Sequence, residues 1–266
     1  MLNRIFAASL ALAAIVAPAW AQTAPRLPSD AADEARYEAC LQRAAREPAD
    51  AFEDAQVWEA QGGAEAARHC AAVALLYNGQ PEAAATRLED LAEDMETQPP
   101  QLRAEILAQA GHAWLQGRNT DRAVAVFTAA LDIAPSAELW IDRAEAYADA
   151  THYNEAIADL NRAIESAPRR ADAFAFRAAA HRMLDQPDLA MKDAERAVAL
   201  NPKLPEAWLE RAILNWQRGD AAAARRDFRE VLLLDPDGPA GETARANIER
   251  MELKLDGGPT PPARTR

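Results

Sequence analysis

The sequence predicts an all-α solenoid of antiparallel helix pairs closed by a C-terminal capping helix, on three observations. Prolines 135, 168, 202 and 236 recur at intervals of 33, 34 and 34 residues, a period that marks stacked helical hairpins. Taking each proline as position 32 of a unit, the surrounding residues repeat in step. Position 4 reads Leu107, Trp140, Phe174, Trp208 and position 8 reads Gly111, Ala144, Ala178, Ala212. Positions 20, 24 and 27 read Ala123, Ala156, Ala190, Ala224; Phe127, Leu160, Ala194, Phe228; and Ala130, Ala163, Ala197, Val231. Large residues thus face small ones at fixed offsets on two helices. Finally, half the residues are apolar and runs of Val, Ile, Thr and aromatics are missing, so strands are not expected.

In chain order, residues 1–21 read as a secretory signal. Arg4 is the positive n-region, Ile5 to Val16 is the apolar run, and Ala19-Trp20-Ala21 is the cleavage site before Gln22. The apolar run is too short to span a bilayer. Residues 22–30 carry two prolines and no periodicity, which predicts a flexible leader. Residues 31–100 should hold two diverged hairpins. The first is about 31–61, broken near Pro48; the second is about 65–97, turning at Gly79, with Ala84, Leu88 and Leu91 matching positions 20, 24 and 27. Thr97-Gln98-Pro99-Pro100 interrupts the array. Residues 101–236 should form four regular hairpins, at about 102–135, 137–168, 171–202 and 205–236. Residues 237–255 carry an apolar stripe of Ile248, Met251 and Leu255 backed by charge, as the end of a solenoid requires. The Gly- and Pro-rich segment 256–266 is expected to be disordered.

Charge and cysteine usage narrow the partners. The formal charge is −13, becoming −14 without the signal, whose one charged residue is Arg4. Such acidity disfavours nucleic acid and anionic membrane surfaces, and no membrane insertion is expected. Cys40 and Cys70 are the two cysteines of the chain. An even count in an oxidising compartment predicts a disulfide; two small buried thiols are the alternative. The four histidines share no ligand spacing and no nucleophile motif or phosphate loop occurs, so neither a metal, a cofactor nor an enzyme is expected. Arg143, Arg177 and Arg211 at position 7 are each followed 16 residues later by Asp159, Asp193 and Asp227. A threefold repeat of one pair predicts a clamp between the helices of a hairpin rather than catalysis.

The pattern Trp140-x-x-Arg143-Ala144-x-x-Tyr147, followed by Ala156, Leu160, Ala163 and Pro168, resembles the tetratricopeptide repeat (TPR). Residues 205–236 match it through Trp208, Ala212, Gly219, Ala224, Phe228 and Pro236. The resemblance covers about 104–236, and 65–97 weakly. It implies a right-handed superhelix whose concave wall is made by the first helix of each pair and takes up extended peptides or partner helices. Lysine and asparagine at positions 5 and 9, used in the family to grip a C-terminal carboxylate, are missing. Ala108 and His112, Ile141 and Glu145, Ala175 and Ala179, and Leu209 and Ile213 stand there, so that specificity is not transferred.

The inward positions instead carry acids and large apolar residues. The candidate groove is Glu138, Ile141, Asp142, Glu145, Asp149, Asp172, Leu209, Ile213 and Trp216. Acids over an apolar floor suit a basic or amphipathic segment. Trp216 either anchors a partner in that groove or packs beneath the capping helix. The reading is an exported periplasmic adaptor that binds a protein or peptide. A secretion or envelope-assembly chaperone, and a non-catalytic accessory subunit of an envelope enzyme, are the alternatives.

Overall fold

A computed structural model of the chain describes Leu27 and residues 31–255; the expectations for the signal, the rest of the leader and the 256–266 tail lie outside the described residues. Among the described residues there are thirteen helices and no strand. Contacts divide the chain into two compact units, Met1–Asn119 and Thr120–Arg266.

The first unit contains α1 (Ala31–Ala44), α2 (Pro48–Ala60), α3 (Ala64–Tyr77), α4 (Pro81–Asp94) and α5 (Pro100–Gln116). Pro48, Pro81 and Pro100 each open a helix, where a missing N–H costs nothing and a fixed φ is already helical. Each helix packs on the next, and α1 also packs on α3. The division falls after α5, one helix beyond the interruption at 97–100, because α5 is tied back to its predecessors. Gln109 and Trp114 on α5 bond to His69 on α3 and Glu89 on α4.

Two cross-links that the repeat pattern does not contain hold α1 to α3. Cys40 and Cys70 are bonded, with their Cα atoms 6.2 Å apart. Beside them the Tyr37 hydroxyl lies 2.7 Å from His69 Nδ1, and His69 Nε2 lies 2.7 Å from Gln109 Oε1. The Gln109 carbonyl oxygen can only accept, so Nε2 carries the proton and Nδ1 accepts from Tyr37. The imidazole is neutral, and burial pushes its pKa down to about 4 despite the Gln109 bond. Burial raises the Tyr37 phenol in turn. One chain of hydrogen bonds thus spans α1, α3 and α5.

The second unit contains α6 (Thr120–Ile133), α7 (Ala137–Asp149), α8 (Tyr153–Ser166), α9 (Ala171–Met183), α10 (Pro187–Leu200), α11 (Pro205–Gln217), α12 (Ala221–Leu234) and α13 (Pro239–Leu255). Each helix packs on its successor, and α7, α9, α11 and α13 also pack in series, so helix pairs stack as a solenoid. The four recurring prolines each stand two residues beyond the end of a second helix, where they stop its continuation. Ser136 and Asp220 cap α7 and α12 by accepting from Leu139 N and Ala223 N. Ala123, Ala156, Ala190 and Ala224 are fully buried, and any larger side chain there would push a neighbouring helix away.

Both units use the same turn between paired helices, with one residue in the left-handed region. Gly79 and Gly219 take φ of 71° and 88°, but Thr151 and Asp185 at the equivalent places take 63° and 58°. A side chain with a Cβ is strained there, and a β-branched one such as Thr151 most of all.

The Arg–Asp pairs form as their spacing predicts. Arg143 donates from Nε and Nη2 to Asp159 at 2.7 and 2.9 Å, Arg177 to Asp193 at 2.7 and 2.8 Å, and Arg211 to Asp227 at 2.8 and 2.8 Å. Each guanidinium also stacks on the position-4 ring of its own helix, Trp140, Phe174 or Trp208. A third arm reaches the preceding pair: Arg143 Nη1 donates to Thr128 on α6 and Arg177 Nη1 to Asn161 on α8. The same position before Arg211 holds Glu195, whose charge acts on it. One residue therefore closes a hairpin and joins it to its neighbour.

Candidate partner-binding face

The predicted groove residues separate into four environments. Ile141 and Asp142 are buried. Ile141 fills the cluster made with Ala144, Ala156 and Leu160 and is part of the fold's interior. At the start of the face, Arg170 takes up two of the acids. It donates from Nε and Nη2 to Asp172, at 3.0 and 2.5 Å, and from Nη1 to Glu138 at 2.6 Å. Partial burial works to raise the Asp172 carboxyl, and the Arg170 pair more than offsets this, holding it below its usual value. Arg170 lies in the link between α8 and α9 and has no counterpart in the repeat pattern, so the sequence reading missed its claim on both acids.

The apolar members collect at the other end. Leu209, Ile213 and Trp216 are partly buried and pack against the cluster of Ala212, Ala224, Phe228, Val231, Ala240, Ala244 and Met251. Ala240, Ala244 and Met251 belong to α13, so the cluster against which Trp216 packs includes residues of the capping helix.

Between these ends Glu145 and Asp149, one turn apart on α7, line a cleft of about 230 Å³. Its walls come from α7, α8 and α9: Ala144, Ala148, Tyr153, Ala156, Leu160, Phe176, Ala179, Ala180 and Met183. Alanines at first-helix positions leave the space that larger side chains would fill. Glu145 and Asp149 are exposed, and Met183 keeps half of its surface in water. Desolvation raises the Asp149 carboxyl above its usual value, which marks a charge held partly out of water. Arg182, next to Met183, is committed to Glu210 by bonds of 2.8 and 3.1 Å, so its charge is met elsewhere.

Comparison with known proteins agrees with this architecture. Family models described as tetratricopeptide repeat match residues 137–170 and 179–249. These two segments carry tetratricopeptide repeats. Repeats of this family are, in general, scaffolds for protein interaction. Among solved structures, the chain is similar to MamA 41-end from Desulfovibrio magneticus RS-1, with 24% identity and a TM-score of 0.52, over 63% of this chain and 93% of that one. A second MamA structure aligns over 76% of this chain and 100% of its own length, with 16% identity and a TM-score of 0.52. At those identities the likeness is one of fold. No curated protein matches the sequence.

Proposed function

We propose that this protein is an exported periplasmic adaptor that holds a protein or peptide segment on the first-helix face of its second unit. The observation that carries the reading is the cleft between α7, α8 and α9, where the fold leaves apolar wall, a half-exposed methionine and two acids open to solvent. A solenoid's interior is satisfied by neighbouring repeats, so an unfilled cleft on a repeat surface is available to a partner. A basic or amphipathic segment fits the acids of this face. Export is supported by the signal-like sequence at 1–21 and by the Cys40–Cys70 bond, which suits an oxidising compartment. Among the described residues no helix is long and apolar enough to cross a membrane.

Tagged full-length chain, expressed in its own host and captured from the periplasmic fraction, tests this reading. The expected result is mature protein beginning at Gln22 together with a stoichiometric partner. Recovery of the uncleaved chain from the cytosol, or of chain with no companion, contradicts it.

A further inference from the structure

We infer that the α7–α8–α9 cleft receives one aliphatic side chain of a partner segment, leucine-, isoleucine- or methionine-like, while a lysine or arginine beside it in that segment meets Glu145 and Asp149. The inference deepens the proposed adaptor function and rests on it.

Size decides the class of occupant. Small-molecule sites commonly occupy about 300–1,000 Å³ and present several convergent polar groups, whereas this cleft holds about 230 Å³ and is walled mainly by alanine, Leu160, Phe176 and Met183. That is room for a side chain rather than a metabolite. The distribution of charge decides the sequence around it. The acids of the cleft, Glu145 and Asp149, are surface residues, whereas Ala144, Ala156 and Leu160 behind them are buried. A cation driven to the apolar end would lose its hydration with no carboxylate to replace it. An aliphatic group is therefore the part that enters, and the cation stays at the acids. Approach of a positive charge would also relieve the penalty that raises the Asp149 carboxyl. Met183, unbranched and polarizable, can adjust to the shape of the entering group.

The test is panning of the full mature chain against displayed random decapeptides, followed by fluorescence anisotropy with the most enriched peptide. Enriched sequences should carry an aliphatic residue with lysine or arginine within two positions. Three variants are measured against that peptide: Ala179→Leu, which fills the cleft; Met183→Glu, at a half-exposed position; and Glu145→Gln with Asp149→Asn. Each of the first two should weaken binding by about tenfold or more. The charge pair should weaken it at low salt and flatten its salt dependence. Circular dichroism establishes that each variant is folded, and Met183→Glu carries the test alone if Ala179→Leu is not. Enriched peptides that lack basic residues, or that bind Met183→Glu and the charge pair as tightly as the parent, overturn the cleft proposal. If those peptides lose affinity instead on Leu209→Ala or Ile213→Ala, the adaptor reading survives without the cleft. No enrichment of any peptide overturns the cleft proposal, and the separate capture of a periplasmic partner then decides the adaptor reading.

Discussion

The two units of this chain stack helices in the same way but are fastened by different chemistry. In the second, a polar device is copied three times: Arg143, Arg177 and Arg211 each bind an aspartate on the paired helix. In the first, a covalent bond and a buried Tyr37–His69–Gln109 chain occur once each. Repetition makes the second unit's stability divisible among equivalent parts, whereas the first depends on single contacts that tie α1 to α3. The difference teaches that a diverged end of a solenoid, lacking the regular interface residues, needs cross-links specific to its own helices.

Removing the disulfide should have the largest effect and should be confined to the first unit. With Cys40 and Cys70 separated by 30 positions, the chain-entropy model gives a loss of roughly 3.5 kcal/mol for Cys40→Ala with Cys70→Ala. Hydrogen exchange should quicken in α1 and α3 and stay unchanged in α8 to α12. Uniform acceleration across both units would show that they are not separately fastened.

Breaking one clamp should cost nearly as much on the other side. Asp193 is buried, so Asp193→Ala leaves the Arg177 charge without its partner at a cost of about 3 kcal/mol, the lower end for buried pairs because part of Arg177 remains in water. Arg177→Met combined with Asp193→Leu should cost much less, since neither charge is then stranded. Denaturant melts of the three proteins check this, and equal losses for the single and double variants would reject the clamp as a coupled pair.

These clamps were legible in the sequence because a spacing of 16 residues recurs at equivalent positions, and the buried alanines were legible for the same reason. The Tyr37–His69–Gln109 chain was not, since its members stand 32 and 40 residues apart in hairpins that offer no second copy for comparison. The groove was half legible. Position numbers identify which residues leave the first helices on one side, but they do not include Arg170, which lies between helices and claims Glu138 and Asp172. Nor do they include α13, which contributes to the cluster against which Trp216 packs.

Acid should separate the units further. The His69 pKa is about 4 in the folded state, below the ordinary value of about 6.5. The unfolded chain therefore binds the proton first. This contribution is fully present above pH 6.5 and is lost as pH falls from there toward 4, about 2 kcal/mol of it being gone by pH 5. Exchange in α1, α3 and α5 should quicken between pH 7 and 5, after correction for intrinsic rates, and His69→Phe should remove that part of the dependence. An acid response equal in both units would contradict the assignment to His69.

The smallest effect is a gain. Thr151 holds φ of 63° where Gly219 occupies the corresponding turn, so Thr151→Gly should stabilise the α7–α8 hairpin by about 1 kcal/mol, less the entropy that glycine adds to the unfolded chain. A melting temperature unchanged or lowered would show that the turn is not strained.

The claim that matters most is that the first-helix face of the second unit, and not its outer face, meets the partner. A photoreactive benzoylphenylalanine placed at Glu145, on the cleft, and separately at Arg196, an exposed position on the second helix α10, measures this directly after irradiation in intact cells. A discrete higher-mass adduct from position 145 with none from position 196 is the predicted result. Adducts from position 196 with none from position 145 would place the partner on the outer face and contradict the account.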